Sequence, residues 1–184
     1  MPLDPNFLPQ AAGTLSDSVY RELVARLVSG RLAPGDKLSL RAVAEALGVS
    51  MMPVREAVSR LAAENALVVE PKRAAFVPVM TAPGFRDLTL VRVAVEGLAA
   101  EMAAERADAG AIAEIARFEE AFRGLAAQTS NVRAQAVSAN QAFHFALYRA
   151  AGSPELINII ERLWMKAGPI INLDLRENPE RIRF

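Results

Sequence analysis

No cysteine occurs among the 184 residues, so disulfides, thiolate zinc sites and cysteine nucleophiles are all excluded. There is one histidine, His144, and a site needing two or three imidazoles cannot be built within one copy of the chain. Neither sign of charge is in excess: 21 Lys and Arg stand against 21 Asp and Glu. That excludes a globally basic coat for nucleic acid and leaves room for a local basic surface. No apolar run approaches the ~18 residues needed to span a bilayer. The start, MPLDPNFLPQ, does not follow the charged-then-apolar order of a signal peptide. A soluble cytoplasmic protein with no membrane partner is expected. No serine elbow, P-loop or nucleotide-binding glycine fingerprint is present either, so catalysis is not expected.

What is present is apolar material, 52% of the chain against 23% charged, enough for a packed core. Glycine and proline gather at a few places, as in a mostly helical protein with sharp breaks. Residues 1–13 read as a loose leader. Val19, Leu23 and Leu27 predict a helix from Ser16 to Ser29, ended by Gly30. Ser39 caps a second, with Leu40, Val43, Ala44 and Leu47 on one stripe and Gly48 where a left-handed C-cap belongs. A third begins near Ser50, with Pro53 tolerable only in its first turn and Val54, Val58 and Leu61 facing inward. Two strands, Leu67–Val69 and Ala75–Val77, follow with Pro71-Lys72-Arg73 as a basic turn.

Three short helices followed by a two-stranded ribbon make a winged helix-turn-helix, whose third helix presents its N-terminal face to the major groove of DNA. From Thr81 the pattern is helical to the end. Leu88, Val91, Val95, Leu98 and Met102 form one long stripe, with breaks near Asp108-Ala109-Gly110, Gln128 to Asn131 and Gly152-Ser153-Pro154. The expected architecture is mainly α: a winged helix-turn-helix over residues 14–80 and an all-helical bundle over 81–184, with a boundary near 78–83.

The run from Gly30 to Leu38, Leu47-Gly-Val-Ser50 and Pro53-Val-Arg-Glu-Ala57 resembles the GntR family of bacterial transcription regulators. Asn140-Gln-Ala-Phe-His144 and Leu147-Tyr-Arg-Ala-Ala-Gly-Ser-Pro154 resemble the FadR-type effector domain, FCD. The resemblance implies DNA-contacting positions at Arg41, Ser50, Met51, Met52, Pro53 and Arg55, with Lys72 and Arg73 at the wing turn. Arg55 is suited to a bidentate bond with guanine O6 and N7. Arg41 suits a phosphate, or else an ion pair with Glu45 one turn on. Lys72-Arg73 suits phosphates, or else is an ordinary exposed turn. Met51 departs from the family, which places arginine or another polar residue there. Methionine donates no hydrogen bond and reads a base edge only by packing on a thymine methyl.

The same resemblance implies a carboxylated metabolite as effector, held in an internal cavity against a divalent metal bound by an aspartate and three histidines. His144 matches one of those histidines and Asn140 stands at the aspartate position, a poorer ligand than a carboxylate. The other two histidines belong beyond Phe184, and the end from Asn178 to Phe184 reads as a truncation. Zinc or nickel is therefore expected in a longer form and weakly or not at all in this one. Apart from a metal role, His144 reads as a single histidine filling a helix interface. Arg92 and Glu96 read as a helix-stabilising pair, or Arg92 as the holder of an effector carboxylate. Phe118, Phe122, Phe143, Phe145 and Trp164 read as core. The function expected is a homodimeric, operator-binding repressor responding to a small organic acid. The alternative is a helical ligand-binding or carboxylate-processing enzyme whose first domain serves dimer contacts.

Overall fold

The computed structural model describes residues 13–70, 74–126 and 133–177. Helix α1, Leu15–Val28, opens on a capping box absent from the sequence reading: the Thr14 hydroxyl accepts from the Asp17 N–H, and the Asp17 carboxylate accepts from the Thr14 N–H. Each bond satisfies a donor that the first turn leaves orphaned. Helix α2, Leu40–Leu47, starts on the Ser39 hydroxyl and stops on Gly48 at φ 64°, a conformation that costs a residue without Cβ nothing. Helix α3, Met51–Ala63, carries Pro53 in its first turn and buries Val54, Ala57, Val58 and Leu61.

Helices α1 and α3 are clamped at their surface. The Tyr20 hydroxyl donates to Glu64 at 2.7 Å, and the Arg60 guanidinium lies 4.0 Å from the Tyr20 ring centre while pairing with Asp17 at 2.6 Å. Burial, then the bond to Glu64, pushes the Tyr20 phenol up to about 12.

The ribbon differs from expectation. It is a three-stranded antiparallel sheet in the order β1-β3-β2, built from Lys37–Leu38, Val68–Val69 and Ala75–Phe76. Lys37 pairs with Phe76 and Leu38 with Ala75, while Val68 and Val69 take the other edge of β3 at the same two residues. Beyond the strand ends, Gly35 donates to the Val77 carbonyl and Val77 to that of Asp36. The segment before α2 is thereby fastened to the wing.

Four helices follow: α4, Ala82–Arg106; α5, Ala109–Ala126; α6, Arg133–Ala150; and α7, Pro154–Glu177. The Thr81 hydroxyl caps α4, and Pro83 sits in its first turn. Helix α6 packs on the other three, and α4 and α7 also meet each other. Arg106 at the end of α4 donates to the Ala151 carbonyl at the end of α6. The buried face of α4 is Leu88, Ala99 and Ala103, with Arg92 and Glu96 mostly buried beside them. Val91 and Leu98, both in the expected apolar stripe, are exposed together with Leu90 and Val93. Helix α4 thus has two apolar faces, one of them bare. Helix α7 continues through Pro169 to Glu177.

The two halves share one continuous core. Leu23, Leu27 and Val28 of α1 belong to the same buried cluster as Ile160, Trp164 and Met165 of α7. At Gly168 the helices come so close that a Cβ there would stand 2.5 Å from the Leu27 carbonyl oxygen and 2.7 Å from that of Val28. Only glycine permits this approach.

Candidate functional site

Two places concentrate chemistry. The first is the outward face of α3. Helix α3 packs on α1, α2 and β2, and Met51, Met52, Arg55, Glu56 and Ser59 are left outside. Ser50 is the N-cap residue, exposed, and its hydroxyl makes no capping bond, so the first-turn N–H groups of α3 have no side-chain cap. An uncapped N-terminus carries partial positive charge and suits a phosphate. Arg55 has no ion-pair partner among the described residues. Met52 is 69% exposed, a position that burial does not explain. Arg41 stands on α2 and does form the ion pair with Glu45, at 2.9 Å, with both side chains well exposed. Such a pair is weak and screened, so it does not hold Arg41 away from a stronger anion. Pro53 is buried, which removes it from the contact surface. Its place in the first turn starts the helix, and its ring packs inward. Lys72 and Arg73 lie outside the described residues.

The second place is a cavity of about 180 Å³ lined by residues of four helices. Val28 comes from α1, Arg92 from α4, Asn140 and His144 from α6, and Trp164 and Gly168 from α7. The structure therefore brings together all three residues expected at an effector site. Arg92 is in its expected pair, Nε to Glu96 Oε1 at 2.6 Å and Nη2 to Oε2 at 3.3 Å. Both side chains are about 15% exposed, and the guanidinium carbon lies 5.3 Å from the Trp164 ring centre.

Tyr148, which the sequence reading passed over, completes the group. Its hydroxyl donates to Glu96 Oε2 at 2.6 Å and lies 3.3 Å from His144 Nδ1. With the phenol proton spent on Glu96, His144 Nδ1 meets that oxygen as an N–H donor, leaving Nε2 as acceptor. Burial and the bond to Glu96 hold the Tyr148 phenol far above its ordinary value. Burial pushes the His144 imidazole down; Glu96 opposes this and Arg92 reinforces it. His144 and Tyr148 are four residues apart on one helical face, so the spacing was available in the sequence. The part played by Val28, Trp164 and Gly168 was not, because it depends on how α1 meets α7. Phe122 and Phe145 are core, as expected, and Phe145 packs edge-on against Trp164 at 5.2 Å.

The cavity also bears on the expected metal. Among the described residues no three of His, Cys, Asp and Glu come together. The donors that the described residues place on the cavity wall are one imidazole and one amide, and the neighbouring carboxylate of Glu96 is already bound by Arg92 and Tyr148. Zinc generally takes three or four protein donors, and here a guanidinium stands on the same wall. This set does not fit a divalent metal.

Comparison with known proteins identifies the two domains in which these places lie. The family described as bacterial regulatory proteins, gntR family, matches residues 15–77, and the FCD domain matches residues 87–183. The HTH-type transcriptional regulator McbR of Escherichia coli K12 is 33% identical over 85% of this chain and 70% of its own length. The uncharacterized HTH-type transcriptional regulator YdhC of Bacillus subtilis is 24% identical over 78% of this chain and 64% of its own. The structure of E. coli McbR/YncC superposes with a TM-score of 0.80 at 30% identity, covering 94% of this chain and 81% of that one. A GntR regulator from Rhodococcus sp. RHA1 shares the fold with a TM-score of 0.70 at 23% identity, covering 91% and 80%. Among the described residues no helix is long and apolar enough to cross a membrane. The chain belongs to the GntR family of bacterial regulators, FadR-like with an FCD domain, and is a DNA-binding transcription regulator.

Proposed function

We propose that this regulator is a homodimeric, cytoplasmic repressor that reads a near-palindromic operator through α3 and answers to a small organic acid in the cavity between Arg92, Asn140 and His144. The observation that carries DNA reading by α3 is its unspent outward face. Arg55 projects from it with no partner among the described residues, beside an uncapped helix start and two exposed methionines. Arg55 suits a guanine edge, Met51 and Met52 suit thymine methyls, and Arg41 and Ser50 suit the phosphates that fix register. Two-fold pairing places two such faces about one helical turn, ~34 Å, apart on DNA. The bare face of α4 supports the dimer: Leu90 is 71% exposed, Val93 67% and Leu98 48%, and all three lie on the side of the helix away from Ala99 and Ala103. A contiguous apolar stripe of this kind marks an interaction surface.

The test is fluorescence anisotropy with duplexes from the region upstream of the protein's own gene, against random duplexes, at several salt concentrations. Selective binding that Arg55→Ala reduces to the level of random DNA supports the reading. Equal affinity for all duplexes removes it. A reporter placed behind the selected duplex decides repression from activation.

A further inference from the structure

Among the described residues the effector cavity carries one cation, and that cation is already braced. Arg92 has five N–H groups, of which two go to Glu96. Glu96 accepts a further bond from Tyr148, so its oxygens are committed and the guanidinium is held in one orientation. Glu96 takes the Nε side of the guanidinium, and the Nη1 edge with the remaining Nη2 hydrogen forms a second fork. No described residue fills that fork, and Arg92 lines the cavity. A carboxylate matches such a fork bidentately. The Asn140 amide, on the same cavity wall, offers an N–H or a carbonyl to a polar group of the same ligand.

The other walls limit what else the ligand carries. Val28, Val137 and Ile171 are apolar, and among the described residues Arg92 is the only Lys or Arg lining the cavity. A second carboxylate would find no cation among the described residues. The volume of about 180 Å³ is room for about six waters, which suits a short acid. A divalent ion in the same space would sit beside a buried guanidinium, with like charges poorly screened there, and with one imidazole and one amide as its donors.

We propose that this cavity is a metal-free site for a small monocarboxylic acid with an apolar body, in which Arg92, braced by Glu96 and Tyr148, stands in place of the metal ion. The proposal rests on the reading of the cavity as the effector site and goes further in naming the ligand class and excluding the metal.

The experiment is isothermal titration of the purified full chain with butyrate, 2-hydroxybutyrate and benzoate, and with succinate. Each is run in excess EDTA and again with added zinc or nickel, alongside elemental analysis of the protein. The expected result is saturable binding of at least one monocarboxylate, unchanged by EDTA, with succinate weaker and no stoichiometric metal. Arg92→Lys keeps the charge and loses the fork, and should weaken binding by about tenfold or more. Should single changes at Arg92 unfold the protein, the double variant Arg92→Gln with Glu96→Gln removes both buried charges together and should abolish binding in a folded chain.

Submicromolar zinc or nickel binding that is lost in His144→Ala overturns the proposal. So does tighter binding of succinate, or carboxylate binding that needs metal; both leave the effector-cavity reading standing. Absence of any carboxylate binding, with or without metal, removes both.

Discussion

Replacing Gly168 by alanine tests the close approach of α7 to α1. In an ordinary helix interior this change stabilises by about 1 kcal/mol, since alanine loses less backbone freedom. Here the added Cβ would meet the Leu27 carbonyl oxygen at 2.5 Å, the Val28 carbonyl oxygen at 2.7 Å and the Val28 Cα at 2.9 Å. All three are backbone atoms at the end of α1, so none can rotate aside. To reach ordinary contact near 3.4 Å, α1 and α7 must part locally by about 0.9 Å, the difference between 3.4 and 2.5 Å. Overpacking against rigid atoms costs about 2–3 kcal/mol, which leaves a net loss of about 1–2 kcal/mol. For a chain of this size that lowers the melting midpoint by about 2–8 °C. Gly124→Ala is the control, because a Cβ there meets nothing within 4 Å; it should melt at or slightly above the parent. Circular dichroism melts of the three proteins check this. A Gly168→Ala midpoint equal to or above the parent's would refute the claim that α7 seats its backbone on α1.

Arg55→Ala should erase the preference for operator over random DNA, about 1–3 kcal/mol of discrimination. Arg41→Ala should weaken both duplexes alike and reduce the salt slope by about one unit, both read by anisotropy. Leu90→Glu with Val93→Glu places charge on the bare face of α4 and should convert a dimer into a folded monomer by light scattering; an unchanged mass would move the interface elsewhere. Above its ordinary value near 10 the folded state holds the Tyr20 proton more tightly than the unfolded chain does, so stability should be full below pH 10 and decline as pH rises toward 12. Glu64→Gln removes the carboxylate that helps raise this value and should bring the phenol's absorbance titration to lower pH.

The reading head was legible because its boundaries are chemical. Ser39, Gly48 and Pro53 each do something at a helix end that other residues do poorly, and the structure places each there. Strand β1 was not legible: Lys37-Leu38 has no alternation to show, and only its partner Phe76 makes it a strand. In α4 the apolar stripe was legible but its two sides were not. Val91 and Leu98 lie on the exposed side, while the buried side is marked by Ala99 and Ala103, whose small side chains give a weak signal in any apolar pattern. The Arg92–Glu96 pair followed from i, i+4 spacing, as the link from His144 to Tyr148 also does. The cavity walls contributed by Val28, Trp164 and Gly168 required the packing of α1 on α7, which no local spacing records.

The fastening of the wing to the segment before α2 has a kinematic consequence. Because Gly35 and Asp36 are bonded to Val77, the sheet moves as one piece with the recognition helix, and the chain leaves it for α4 through residues 78–81 alone. The other attachment is broad: Leu23, Leu27 and Val28 of α1 are buried with Ile160, Trp164 and Met165 of α7, and the two backbones close up at Gly168. An interface of that breadth fixes α1 in orientation as well as in position. Val28, at the end of the same helix, lines the cavity. A displacement of α7 is therefore carried into the reading head by α1 as a lever, rather than lost in the linker.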